Sequence, residues 1–487
     1  MSKGWWLWFR LMMQRASQTW RRPLYWCVAL VGGVFVSSQF QTRHEGLAIL
    51  IGAALLLAIL WRQFIPAIFL VLFFMGFGYF WLFTKFSSPP VEPGCWEARV
   101  ASAPRKVGSQ SEFALDLGTK TVAVQVEEGD FKVGDLVKMC LAQENLAAVS
   151  DRQKRSLESR YRTSQLISDP EIALLEPGRG VWRQISDLSA LFKSTLYKLF
   201  PGNAGVLAIG LVLGGSEGFS ASVKTALVAS GTSHLVAVSG YNISIITVII
   251  FRFLRRLGGR NLAAGLSLVF LIVFPLLAGL TPSVFRAAIM GALYLVGRLL
   301  GRPRALLDAL FVAALAMTLT NPYVLWDVGF QLSFAATFGL IWAVPLAEYF
   351  SALLRRGGVV LQEVGGVLTE TLVAQLFTLP ILLLAFGRVS LVAPLTNLLI
   401  LPLVPAAMLL VALALGGFFA WSYLGQFFAG AAKLLLDYFL ALIEFFGQMP
   451  LALYNARVNA LAAVGLYAVI LAAFAAARHF AFRRIMR

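Results

Sequence analysis

Two uninterrupted apolar stretches decide most of what this chain can become. Residues 261–280 (NLAAGLSLVFLIVFPLLAGL) and 458–477 (VNALAAVGLYAVILAAFAAA) contain no charged residue, and about 20 such residues in a helix cover the ~30 Å of bilayer hydrocarbon. In lipid every backbone N–H and C=O must be satisfied within the protein, which makes the helix the natural way for such a run to cross. Similar runs lie at 24–40, 46–61 and 65–84, then at 235–255, 284–300, 305–320, 325–347, 367–386, 391–416 and 425–447. Together they predict a polytopic α-helical membrane protein of about twelve transmembrane spans. A composition of 59% hydrophobic and 13% charged residues also lies outside the range of soluble domains.

Charge gives the sidedness. Residues 1–22 carry Lys3, Arg10, Arg15, Arg21 and Arg22 with no acid, which predicts a cytoplasmic start. Trp5, Trp6 and Trp8 read as interfacial anchors, and without a small-residue cleavage site the segment is expected to stay on the mature protein. Three crossings then bring the chain outside near Lys85. Alternation from there predicts inner loops holding Arg252, Arg255, Arg256 and Arg260, then Arg298, Arg302 and Arg304, then Arg355 and Arg356. The predicted cytoplasmic tail holds Arg478, Arg483, Arg484 and Arg487, whereas the outer connections after 280 hold only Arg388 and Arg457. Much of the net charge of +17 is therefore a signature of insertion, not of nucleic-acid binding.

Between 85 and 180 the pattern changes to short alternating runs (EARVAS, EFALDL, TVAVQV, LVKMCL) punctuated by Gly129-Asp130 and Gly134-Asp135. This predicts a small extracellular β-domain, with an OB-like β-barrel as one fold of that size. Cys95 and Cys140 fall inside it, either as an outer-side disulfide or as two unpaired core thiols. Three cysteines and three scattered histidines (His44, His234, His479) supply neither a disulfide scaffold nor a metal cluster. Its 13 basic and 14 acidic residues leave no general footprint for nucleic acid. Locally, RQKRSLESRYR offers Arg152, Lys154, Arg155, Arg160 and Arg162 to phosphates and Tyr161 to a base, or is simply a solvated loop. Residues 181–203 follow, with Trp182, Ile185, Leu188, Leu191, Phe192 and Leu196 at the spacing of a helix lying on a membrane surface. The chain thus divides into 1–84 (three spans), 85–180 (β-domain), 181–203 (interfacial helix) and 204–487 (membrane domain).

In 208–246 two apolar pieces too short to cross are broken at Gly214-Gly215 and Gly231-Thr232. Broken segments at membrane depth are tolerated where they are buried in protein or line a wet cavity. Ser230, Thr232, Ser233, His234, Ser239, Asn242 and Ser244 make this stretch unusually polar, and it is the predicted pore lining. For any one serine, hydrogen bonding between helices is the alternative. No acid stands near His234 to complete a Ser-His-Asp set on Ser239, and no catalytic residue, metal or cofactor is expected. Arg286, Asp327 with Gln331, and Asn397 among Pro380, Pro402 and Pro405 place further polar groups in apolar spans. Asp327 is the carboxylate that could pair with Arg286; each of these groups could equally serve packing.

HLVAVSGYNISI (234–245), the upstream GLVLGG, PSVFRAAIM (282–290), NP with WDVGFQLSFAAT (321–337) and TLP with FGRVSLVAPLTNLLILPLVP (378–405) together resemble the ComEC competence family, in its order and over roughly 205–450. The resemblance implies a channel in the bacterial inner membrane that passes single-stranded DNA into the cytoplasm during natural transformation, with the OB-like domain outside. The DNA path candidates are then Ser233, His234, Ser239, Gly240, Asn242, Arg286, Asp327, Gln331 and Asn397. Many relatives read Ser-Gly-Leu-His where this chain has Ser239-Gly240-Tyr241-Asn242, so a role for that second histidine does not carry over. Many also continue into a metallo-β-lactamase-like domain, whereas this sequence ends at Arg487; a separate nuclease is the expectation. No nucleotide-binding loop appears, which implies a separate motor or DNA-pulling protein, besides an outer DNA receptor. The alternative reading is a secondary transporter of a small solute, for which Asp327 is the one acid available.

Overall fold

Alternation builds the first unit. In LVKMCL, Val137, Met139 and Leu141 are buried and Lys138 is exposed, as a backbone of period two requires. The computed structural model describes residues 91–485 apart from 143–156 and short gaps at 92, 103, 108–109, 119–120, 128–130, 159–160, 162, 164, 216–217, 237–239, 280–281, 300–305 and 355–358. The three expected N-terminal crossings lie outside the described residues.

Seven strands form the β-domain: β1 (Gly94–Val100), β2 (Arg105–Val107), β3 (Gln110–Asp116), β4 (Thr121–Val126), β5 (Leu136–Leu141), β6 (Leu166–Ser168) and β7 (Glu171–Glu176). The sheet order is β6-β4-β3-β1-β5-β7, with β2 paired to β3. Phe113, Leu115, Val124, Val137, Met139 and Ile167 form its core. No ladder closes a barrel: β6 and β7 are the two edges of an open sheet among the described residues. Yet Ser168 and Glu171 are separated only by Asp169 and Pro170, a reach of at most ~11 Å, so the sheet curls until its edges come close. Pro170 has no N–H to give and Asp169 takes φ 45°, which carries the chain over the gap without pairing it. Cys95 and Cys140 stand opposite each other in the β1–β5 ladder, Cα atoms 4.0 Å apart, and are joined by a disulfide.

The rest is helical. α1 (Val181–Leu199) leads from the sheet to α2 (Asn203–Val212), α3 (Ala221–Ala229) and the single turn α4 (Ser233–Val236). α5 (Gly240–Ala278) is two legs meeting at Gly258 and Gly259, whose backbone is not helical. Ile243 and Phe274 share one apolar cluster although a straight helix would hold them ~46 Å apart, so the chain reverses there. α6 (Pro282–Leu299), α7 (Leu306–Thr320) and a 3₁₀ turn at Pro322–Trp326 precede α8 (Val328–Leu354) and α9 (Val359–Ala385). β8 (Arg388–Ser390) then pairs with β9 (Leu453–Asn455). Between them run α10 (Ala393–Ile400), a 3₁₀ break at Leu401–Leu403, α11 (Val404–Ala420) and α12 (Ser422–Gly447), and α13 (Ala460–Ile485) follows β9. Pro402 within the break lacks the N–H a continuous helix would use.

Five stretches among the described residues are long and apolar enough to span a membrane: Asn242–Ala278, Val364–Ala385, Ala393–Ala420, Ser422–Gly447 and Ala460–Ala477. The protein is therefore a multi-pass membrane protein carrying a small β-sheet domain. Its largest core joins Leu196 and Phe200 at the end of α1 to nearly all of α2 and to the facing sides of α11 and α12.

Candidate polar pathway in the membrane domain

The broken segment meets a second break. α3 ends at Ser230, and Gly231 takes φ +74°, a left-handed conformation that a side chain would strain. A Cβ on Gly231 would also stand 2.4 Å from Cβ of Ala393, so only a glycine lets this tip seat against α10. Ser390 fastens the junction: its Oγ donates to the Ala229 carbonyl at 2.6 Å and accepts from Ala393 N at 3.1 Å, while its own carbonyl accepts from Gln375 Nε2 at 2.7 Å. Gln375 lies ten residues, ~15 Å, inside the end of α9 at Ala385. The chain after α9 thus folds back along the helix before it starts α10.

At the tip, Ser230 and Thr232 are fully buried and share a 2.7 Å hydroxyl contact. Ser233 and His234 are exposed; His234 Nδ1 lies 3.1 Å from the Gly231 carbonyl, a contact that needs the ring proton on Nδ1. Asn242 is buried and its Nδ2 donates to the Leu211 carbonyl at 3.2 Å, tying α5 to α2. Ser239 lies outside the described residues.

Arg286 is 7% exposed. Its Nε donates to Ser333 Oγ at 2.7 Å and Nη1 approaches Met290 Sδ at 3.5 Å. Its Nη2 stands 2.8 Å from where a Cβ on Gly240 would sit, so the guanidinium rests on the bare backbone that opens α5. No carboxylate pairs with it among the described residues. Asp327 does not fill that role: its Oδ1 accepts from Phe330 N at 2.8 Å and so caps α8. Gln331 donates to the Leu325 carbonyl at 2.8 Å and borders an open apolar cleft of about 390 Å³.

Asn397 is 5% exposed and its Oδ1 has no hydrogen-bond partner among the described residues. The same holds for Thr371 Oγ1 and Gln375 Oε1 on α9, which packs against α10. Thr371 and Gln375 share a helix face by their i, i+4 spacing. Sequence reasoning missed both, and also Ser333 and Ser390, although a Thr–Gln pair four residues apart in an apolar run is a legible signal. Of the expected path residues the structure brings together Gly240 with Arg286, and places the tip beside the segment that starts Asn397's helix. It leaves Asp327 and Gln331 in local bonds at the head of α8.

In the sheet domain Tyr161 packs with Ala123, Leu157 and Leu166, and its Oη donates to Glu112 Oε1 at 3.1 Å. Arg152, Lys154, Arg155, Arg160 and Arg162 lie outside the described residues.

Residues 211–480, which hold every membrane-domain residue just named, match the family model described as Competence protein. The chain belongs to the competence protein family. It is 33% identical over 228 residues to ComE operon protein 3 of Bacillus subtilis (strain 168), an alignment covering 47% of this chain and 28% of that relative. The chain therefore matches less than a third of the relative's length. No solved structure matches it. The β-sheet domain precedes the region that the competence model covers, whereas both chain breaks and Arg286 lie within it.

Proposed function

We propose that this competence protein is a channel through which single-stranded DNA crosses the bacterial inner membrane into the cytoplasm during natural transformation. The observation that carries the reading is the set of buried oxygens on Thr371, Gln375 and Asn397. A buried polar atom left without a partner costs ~1–3 kcal/mol. Three on the packed α9 and α10 are groups that water or a passing polar ligand would satisfy once the helices part. The buried Arg286 adds a cation suited to phosphate, and neutral oxygens otherwise let each contact release.

In this reading twelve spans surround the path, the sheet domain is an OB-like unit outside, and both termini are cytoplasmic. The Cys95–Cys140 disulfide supports the outward placement, because such bonds persist in oxidising compartments. The chain does no chemistry itself; a separate motor pulls the strand, and a receptor and nuclease act beside it.

The test follows labelled single-stranded and double-stranded DNA across the inner membrane in a deletion strain. The strain is complemented with the native chain or with Thr371→Val and Asn397→Leu together. Loss of cytoplasmic DNA with surface-bound DNA retained supports the channel, and the double variant should reproduce much of that loss. Uptake unchanged by the deletion would refute it and turn attention to a small solute.

A further inference from the structure

Four exposed apolar side chains crowd the place where the sheet meets α1. Leu174 and Leu175 on β7 are 51% and 44% exposed, and Val181 and Trp182 at the start of α1 are 68% and 56% exposed. β7 is an edge strand, and because neighbouring residues of a strand point to opposite faces, the two leucines clothe both sides of that edge.

An ionic joint holds this edge to the helix. Asp135, 1% exposed, accepts from Gly178 N at 2.7 Å, from Lys132 N at 2.8 Å and from the Arg183 guanidinium. Asp187, one turn along α1, binds Lys132 Nζ at 2.8 Å and Arg183 Nε at 3.3 Å. The exposed apolar strip then continues along α1 as Leu188 and Leu191. Ser189, seven residues after Trp182 and so on its face of α1, donates from Oγ to the Leu277 carbonyl at 3.1 Å, one residue from the end of α5, whose apolar length suits a bilayer. The face of α1 that carries Trp182 thus lies against the end of a membrane helix.

We propose that the β7 edge is seated in lipid, so that the sheet domain rests on the bilayer surface as a monotopic unit instead of standing free of it. The bond of Ser189 to the end of α5 holds α1 at the level of a bilayer boundary and so selects lipid as the occupant, and Trp182 supplies the amphipathic ring favoured at a membrane–water boundary. Only the choice of the outer leaflet rests on the function proposed above; the seating itself does not.

The test uses the full chain in lipid nanodiscs with Cys27→Ser, Cys95 and Cys140 being bonded to each other. An environment-sensitive fluorophore is placed on Leu175→Cys, on Val181→Cys as a second site, and on the exposed Glu127→Cys as a solvent control. Lipids carrying a spin label near the headgroup should quench positions 175 and 181 at least twofold more than 127, and iodide should quench them at least twofold less. Equal iodide quenching without lipid quenching overturns the proposal. So does shielding from both quenchers, which would mean that a second copy or another segment of the chain covers the strip. Asp135→Asn should reverse the ratio at 175 by freeing the edge; an unchanged ratio removes the joint from the argument. DNA passage enters none of these readings, so failure here and failure of the channel are distinguishable.

Discussion

Replacing Arg286 with methionine should move stability and DNA uptake in opposite directions. The guanidinium is buried and bonds Ser333 at 2.7 Å, with no carboxylate partner among the described residues. Losing a hydrogen bond from a charged donor costs ~1.5–3 kcal/mol, but the same change removes a desolvation penalty of several kcal/mol for an ion held out of water. Methionine fills similar length without charge, so Arg286→Met should melt within ~2 kcal/mol of the native protein or above it. A phosphate ~4 Å from the guanidinium gains up to ~4 kcal/mol at an effective dielectric constant near 20. Even a third of that is about tenfold in rate, so uptake of labelled DNA should fall at least tenfold. Arg286→Lys keeps the charge without the Nε bond and should recover part of the loss. The assay pairs thermal unfolding of the purified protein with uptake in cells. A loss of more than ~3 kcal/mol in stability would make Arg286 a structural residue, and unchanged uptake would remove it from the path.

Three further outcomes are expected. Cys95→Ser opens a disulfide that spans 45 residues, and the loop-closure account gives ~4 kcal/mol for such a loop; denaturant melts of the sheet domain showing less than ~1 kcal/mol would place its stability in the core alone. The Asp187 carboxyl is held below its ordinary value of 3.8, chiefly by its hydrogen bond from Lys132, with Arg183 assisting and burial opposing. Because the folded form favours the ionised acid, its contribution to the joint is present at neutral pH and is lost as pH falls below 3.8. Spin-label distances between positions 127 and 197 should then stay narrow from pH 8 to 5 and broaden near pH 3; broadening already between pH 7 and 5 would contradict this. Finally, twelve alternating spans put the α11–α12 corner inside. Phe192 of α1 nevertheless lies 5.9 Å from Phe419, three residues after Ser189 touches the end of α5, which puts that corner on the side of α1. A thiol probe should therefore reach Trp421→Cys from the side that carries α1, and labelling from the cytoplasm alone would restore the simple alternation.

Local rules carried the reading wherever one segment decides its own structure. The strands of EFALDL and TVAVQV, the amphipathic α1 and the break at Gly231 are written in alternation, helical spacing and a glycine. Two side chains make contacts that the sequence pattern does not weigh. Asp327 reads as an intramembrane acid because its neighbours are apolar, yet an Asp three residues before Phe330 is also a helix start signal, and the local bond prevails. Tyr161 sits in a basic run that suggests base stacking, but Ala123, Leu157 and Leu166 come from separate segments to receive its ring. That the sheet edges approach without pairing turns on two residues, Asp169 and Pro170, that no alternation pattern weighs.

The junction also indicates where the path can open. Ser390 is bound through its hydroxyl to α3 and α10 and through its carbonyl to α9, so separating the tip from β8 breaks the bond to Ala229, and lifting β8 from α9 breaks the bond from Gln375. The seam between α9 and α10 holds oxygens that have no bond to lose. Motion that widens the seam while sparing Ser390 is therefore the less costly one. Paired cysteines separate the two cases. Bridging Ala229→Cys to Ser390→Cys with a short thiol cross-linker should leave DNA uptake largely intact, because that contact stays closed. Bridging Thr371→Cys to Asn397→Cys should block uptake and release it on reduction. The opposite pattern would place the opening at the tip and make the free oxygens bystanders.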